Sequence, residues 1–107
     1  MINLTPHTII IRAADGTDTI ILASGALARV ASTETQVGVC SLTGAPIMRR
    51  EFGAVEGLPT DGTPCLVSSL VLSAVPAGSA GVYAPDTGPT AIRENGQIIA
   101  VTRLVAA

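Results

Sequence analysis

The chain has 107 residues, of which 48% are hydrophobic and 13% charged, and a formal net charge of −2 at neutral pH. This length predicts a single domain, residues 1–107, with one modest core. All six basic residues are arginine, and the only aromatic residues are Phe52 and Tyr83. Extended nucleic acid is bound by basic faces and aromatic stacking platforms, so the composition argues against that class of protein.

The cysteines and the apolar segments indicate where in the cell the protein is found and whether it binds a metal. The first residues lack the positive charge of a secretory leader, and no apolar run reaches the length of a membrane span. We therefore expect a cytoplasmic protein with no membrane partner, in which Cys40 and Cys65 are free thiols; a disulfide between them is the alternative. One histidine and two cysteines without CxxC spacing are a poor ligand set for zinc, so we expect no metal and no cofactor.

Short β-branched runs separated by turn residues dominate the first half of the chain. The runs at 9–12 and 18–22 flank Asp15-Gly16, a turn signal that predicts a hairpin. The further strands expected before the long loop at 57–64 are 26–31, 36–42 and 47–55. Gly53 lies inside the last of these runs and predicts a β-bulge there.

The second half of the chain combines a helical pattern with a second hairpin. Apolar residues recur at a spacing of four between residues 65 and 75, which predicts a helix there, although the β-branched content argues against it. The segment 77–88 contains mostly small residues and is rich in glycine and proline, which predicts a loop. Asn95-Gly96 then predicts a tight hairpin between the runs 91–94 and 97–105. The fold class expected is α+β, with six to eight short, mostly antiparallel strands and one helix.

The first candidate site is the opening segment, which holds Asn3, Thr5 and His7. These side chains alternate along a segment that Pro6 makes extended, so we expect them to share one face and to bind a polar ligand. Histidine is the side chain that ordinarily changes charge near neutral pH. The alternative is that Thr5 and His7 satisfy neighbouring backbone groups at the start of a strand.

The second candidate site is the proline-flanked loop that holds Asp86, together with Arg93 on the strand that follows. The loop can present the carboxylate of Asp86 and the hydroxyl of Thr87, and Arg93 can hold an anionic group through two hydrogen bonds. The alternative is a turn in which Asp86 bonds its own backbone and pairs with Arg93.

Ser68, Ser69 and Ser73 form a third polar group, on the expected helix. A serine hydrolase is disfavoured, because no G-x-S-x-G elbow is present and His7 is the only base available. Such serines more often pack closely or cap backbone groups.

Several short motifs together resemble a known family. They are Asn3-Leu4-Thr5-Pro6-His7, Ala28-Arg29-Val30, Gly57-Leu58-Pro59, Val67-Ser68-Ser69-Leu70-Val71, Ala84-Pro85-Asp86, and Arg93 before Gly96-Gln97-Ile98. Nearly the whole chain is similar to a family of small bacteriophage and bacterial proteins that begin with an NLTPH signature. The resemblance implies a phage or prophage setting and a shared architecture, without an established activity. It also groups His7, Ser68, Asp86 and Arg93 as one cluster.

Three functions remain open on these grounds. The first is a non-enzymatic phage accessory protein that captures a small anionic, nucleotide-like host signal or a host protein, with Asn3, Thr5, His7, Ser68, Asp86 and Arg93 as its binding residues. The second is a structural or assembly protein that forms a homo-oligomer through its sheet edges. The third is a small hydrolase or transferase that uses His7 with Asp86 as general acid or base.

Overall fold

Short β-strands make up most of the structure, in keeping with the β-branched composition. The computed structural model describes residues 1–107 and contains ten strands and one helix. The strands are β1 (Ile2–Asn3), β2 (Ile9–Arg12), β3 (Asp18–Ile21), β4 (Arg29–Val39), β5 (Pro46–Glu56), β6 (Cys65–Leu66), β7 (Val82–Pro85), β8 (Ile92–Glu94), β9 (Gln97–Ala100) and β10 (Leu104–Ala106). The helix α1 is Ser69–Ala74. The expected α+β, β-rich fold is confirmed, with more strands than expected because two-residue strands leave no readable sequence pattern.

The centre of the fold is a four-stranded sheet in the order β1-β6-β7-β10. The pairs β1–β6 and β6–β7 are parallel, whereas β7 and β10 are antiparallel. Leu66 and the adjoining Val67 are completely buried, and the helix residue Val71 packs with Val67 in the main core. This sheet therefore anchors the segments that precede β2 and α1.

Both tight hairpins expected from the sequence are present. β2 pairs with β3 and β8 pairs with β9, each in antiparallel register. Asn95 and Gly96 have φ values of 52° and 79°, the left-handed backbone that a two-residue hairpin turn requires. Asn and Gly adopt this conformation at the lowest cost, which is why the dipeptide was a reliable signal.

The helix is shorter than the range 65–75 expected from the apolar spacing. Cys65 and Leu66 form a central strand, in which the N–H of Cys65 donates to the carbonyl of Gly81 at 2.8 Å. Ser68 then begins the helix, because its hydroxyl accepts a hydrogen bond from the N–H of Val71 at 3.3 Å. A continuous apolar run fits a buried strand as well as a helix face, and here the run contains both.

The expected loop at 77–88 is also corrected in part, because residues 82–85 form the strand β7. Val82 and Ala84 face the interior and are buried. Their alternation with half-buried neighbours is the strand pattern, which the surrounding glycines and prolines obscured.

A long ribbon of β4 and β5 extends away from this centre. The two strands have 11 residues each and pair only with each other. Val30 and Val55 near its base pack against the main core, and a register shift places one extra residue in β5 beside Gly53, where a bulge was expected. The chain measures 53 × 39 × 25 Å with a radius of gyration of 16.8 Å, against about 13 Å for a compact chain of this length.

No helix of the structure has the length and apolar character needed to cross a membrane.

Candidate ligand-binding cleft

An open cleft of about 460 Å³ lies between the segment that leads into β2, the start of α1, the end of β7, and β9. Its polar lining comes from Thr5, His7, Thr8, Ser68, Ser69 and Thr87. Its apolar lining includes Ile9, Val67, Ile98 and Ile99. The volume is within the range of small-molecule sites, and the mixture of an apolar wall with a few polar groups is typical of them.

Asn3 is buried beneath the cleft instead of lining it, with 1% of its surface exposed. Its Oδ1 accepts hydrogen bonds from the N–H and the hydroxyl of Thr5, at 3.0 and 2.7 Å. Its Nδ2 donates to the carbonyls of His7 and Ile21, at 2.7 and 3.1 Å. Together these four hydrogen bonds fix the turn that contains His7 and attach it to the end of β3.

The expectation that Asn3, Thr5 and His7 share one face is therefore wrong. Residues 5–7 form bends and not a strand, so the alternation of side chains is interrupted. Asn3 is buried beneath the cleft, Thr5 is buried in its lining, and His7 is exposed at the cleft. The NLTPH segment is a hydrogen-bonded turn whose buried polar groups place the imidazole.

His7 contributes the only ionisable side chain among the cleft residues. Its backbone carbonyl and N–H take part in the turn, at Asn3 and Thr5, but its ring forms no hydrogen bond within the chain. The ring nitrogens therefore remain available to a ligand as one donor and one acceptor, or as two donors when the ring is protonated.

Ser68 and Ser69 line the cleft at the start of α1. The Ser68 hydroxyl accepts from the N–H of Val71, so it keeps its own proton for donation. Ser69 is exposed, and its hydroxyl has no partner in the chain. Both serines can donate to a bound acceptor, although Ser68 is also the helix cap.

Asp86 adjoins the cleft lining without belonging to it. Its Oδ1 accepts from the N–H of Gly88 at 2.9 Å and its Oδ2 from Nε of Arg103 at 2.6 Å. These two bonds, the backbone bond first, lower the pKa of Asp86 below its ordinary value. The carboxylate therefore holds its own loop in place. Its ion-pair partner is Arg103, whereas the sequence suggested a pair with Arg93.

Arg93 also acts on this loop and is not among the cleft residues. Its guanidinium donates to the carbonyls of Thr87 and Gly88, at 2.6 and 3.1 Å. Arg93 and Asp86 therefore hold the segment that presents Thr87 to the cleft. They lie behind the surface of the cleft and fix the position of the Thr87 loop.

Three of the six expected binding residues line one cleft: Thr5, His7 and Ser68. The other three form hydrogen bonds that hold the segments around the cleft: Asn3, Asp86 and Arg93. Lining residues that the sequence did not single out include Thr8, Ile98 and Ile99, whereas Ser69 and Thr87 were noted as polar groups but not counted among the expected binding residues. Ile98 and Ile99 follow Asn95-Gly96 in the second hairpin, and only the contact of that hairpin with β2 makes them part of a cleft. No local pattern encodes that contact.

Both cysteines are free thiols, with Cys65 buried and Cys40 partly exposed. No group of three or more His, Cys, Asp and Glu side chains is clustered as a metal site would require. Comparison of the chain with protein-family models, curated proteins and solved structures found no match.

Proposed function

We propose that this protein is a non-enzymatic binding module that holds a small molecule in the cleft beside His7. The observation that carries the proposal is the combination of an apolar wall with an imidazole whose ring has no internal partner. A polar group that is already satisfied inside the fold has little to gain from a ligand, whereas the His7 ring and the Ser69 hydroxyl can bond one directly.

The lining favours a ligand with an anionic or oxygen-rich end and a flat or apolar end. The hydroxyls of Ser68, Ser69 and Thr87 and the imidazole supply donors for phosphate or carboxylate oxygens. Ile98 and Ile99 supply the aliphatic surface on which a base or similar ring can rest. A small nucleotide satisfies both requirements, and arginine takes no direct part in its recognition.

The motifs that resemble those of phage proteins with the NLTPH opening support a phage setting for this binding. In that setting the ligand is a nucleotide-like signal of the host, and the protein works in the host cytoplasm. Capture of a host protein is the alternative within the same setting, but a cleft of about 460 Å³ suits a small molecule better than a protein surface.

An enzyme that uses His7 with Asp86 receives less support. Asp86 is outside the cleft lining, and both of its oxygens already accept hydrogen bonds, from Gly88 and Arg103. A general acid or base pair needs both groups within hydrogen-bond reach of the reacting atoms. The assembly function is favoured by a separate feature, the projecting ribbon of β4 and β5.

His7 is the only histidine, so its ring resonances in heteronuclear NMR report on this cleft alone. Titration with AMP, ADP-ribose and cyclic di-AMP should shift the His7 ring signals with at least one of them. The same ligand should leave the signals unchanged in a Ser69→Trp variant, because the indole fills the cleft. Unshifted signals with every nucleotide would remove support for a nucleotide ligand.

A further inference from the structure

The β4–β5 ribbon is an unpartnered structure with two free edges. It forms a sheet of its own, and nearly all of its residues beyond the base are exposed. Val37, Val39, Ile47, Met48 and Phe52 are 45–57% exposed, and Leu42 at the turn is 89% exposed. Two-stranded ribbons are marginally stable alone in water, and long free edges are sites of strand pairing.

The charges on β5 are arranged to complement a second copy of the same strand. Arg49 and Glu51 lie on one face of β5, and neither has an ion-pair partner in its own chain. On the other face, Arg50 is neutralised by Glu34 across the ribbon, with Nη2 2.7 Å from Oε1. In an antiparallel pair of identical strands related by a two-fold axis, one residue must lie opposite itself, so the possible registers can be compared directly.

Only one of the central registers matches opposite charges. With Arg50 on the two-fold axis, Arg49 lies opposite Glu51 of the second copy, and Met48 lies opposite Phe52, each of these pairs occurring twice. This register also places Arg50 opposite Arg50 of the second copy, and the charge of each is already compensated by Glu34 of its own chain. With Arg49 on the axis, Ile47 faces Glu51, and with Glu51 on the axis, Arg49 faces Gly53. The free edge of β4 contains a single charged residue between its ends, Glu34, and offers no such match.

We propose that the protein forms a two-fold symmetric dimer in which β5 pairs with β5 of a second copy, centred on Arg50. The two ribbons then form one four-stranded antiparallel sheet, in the order β4-β5-β5-β4. Cross-strand Arg–Glu and Met–Phe pairs stabilise the junction, and both long β5 edges are covered. This interface lies away from the cleft, and it stands whether or not the cleft binds a nucleotide.

Sedimentation or light scattering at micromolar concentration tests the dimer and its register. The parent protein should have a mass in solution of twice the 10.7 kDa of one chain. Arg49→Glu and Glu51→Arg should each weaken the dimer by about tenfold, because like charges then face one another twice. The double variant Arg49→Glu with Glu51→Arg should dimerise like the parent, because the opposite charges are exchanged and matched again.

Arg29→Glu is the matched control, since it makes the same charge change at the base of the ribbon, outside the proposed junction. Circular dichroism of every variant establishes that it is folded. A monomeric parent, an open series of higher oligomers, single variants that dimerise like the parent, or a double variant that fails to recover would each overturn the proposal.

Cross-linking tests the register independently. In a Cys40→Ser background, Arg50→Cys should give an intermolecular disulfide under mild oxidation, because this residue lies opposite itself on the axis. Thr33→Cys on β4 should not. Equal cross-linking at both positions, or none at Arg50→Cys, would contradict pairing through β5.

Discussion

The Oδ1 atom of Asn3 accepts two hydrogen bonds from Thr5, from its N–H at 3.0 Å and from its hydroxyl at 2.7 Å. With Nδ2 bonded to the carbonyls of His7 and Ile21, the buried amide holds the turn before β2 in one shape. The position of His7 in the cleft therefore depends on a residue that does not itself line the cleft.

Asn3→Ala should lower the free energy of unfolding by about 3 kcal/mol, because it leaves buried donors and acceptors without partners. Asn3→Asp should be comparably harmful, since it replaces the Nδ2 donor by an oxygen that faces two carbonyls. Urea denaturation measures both. Gln97→Ala removes an exposed amide and should change the free energy by less than about 0.5 kcal/mol. A loss for Asn3→Ala as small as that of the control would contradict the role of the amide.

The Asp86 loop should give the stability a distinct pH dependence. The pKa of Asp86 is lowered in the folded protein by the Gly88 N–H and by Arg103, so the charged form is favoured by folding. Its contribution is present above the ordinary carboxyl pKa and is lost as the pH falls below about 4, through the folded value. The difference in unfolding free energy between the parent and Asp86→Asn should therefore shrink from pH 6 to pH 2.5.

Arg103→Gln provides the control for that titration. This substitution removes one of the two causes of the lowered pKa of Asp86. In the Arg103→Gln background, Asp86→Asn should therefore change the free energy of unfolding by less than it does in the parent. A difference that stays constant across the acid range would show that Asp86 is not favoured in its charged form by folding.

Arg93 should act on the cleft through the backbone of the Thr87 loop. Arg93→Lys keeps the charge but loses the planar fork that bonds two carbonyls at once. Amide resonances of residues 86–88 should shift, together with those of nearby cleft residues, while those of the β4–β5 ribbon stay in place. Glu94→Gln, one residue further along the same strand, is the control. Unchanged amide resonances at residues 86–88 in Arg93→Lys would contradict this role of Arg93.

The two thiols should differ strongly in reactivity. Burial raises the pKa of Cys65, whereas hydrogen bonds from Thr43 and then from the backbone of Thr43 and Leu42 lower that of Cys40. A disulfide reagent should modify one thiol rapidly in the folded protein and the second only on unfolding. Cys40→Ser should abolish the rapid phase and Cys65→Ser should retain it, and two rapid phases in the parent would contradict the burial of Cys65.

The elements that the sequence predicted well are those encoded by a local signal. Asp15-Gly16 and Asn95-Gly96 specify turns through their own backbone preferences, and both hairpins were found. The run from Cys65 to Val75 is different, because its division into a strand and a helix is fixed by contacts with β1 and β7 and by the Ser68 cap. Apolar spacing alone carries no information on those partners.

For the candidate site too, the sequence indicated local features but not the contacts between distant residues. The polar opening indicated a candidate site, and the structure places its Thr5 and His7 at one cleft with Ser68. Whether a polar side chain there faces the cleft or the interior depends on hydrogen bonds such as the one that the Asn3 amide donates to the carbonyl of Ile21, 18 positions away in the chain. The same holds for Asp86, whose partner Arg103 lies on the far side of the second hairpin.

Native mass spectrometry of protein purified from bacterial cells without denaturation tests the binding-module claim most directly. The parent chain should carry a non-covalent adduct of small-molecule mass, which Ser69→Trp loses because its indole fills the cleft. Ser73→Trp, the same replacement on an exposed helix position outside the cleft, should keep the adduct. A parent spectrum with only the 10.7 kDa chain and its multiples, or an adduct that Ser69→Trp retains, would contradict the claim.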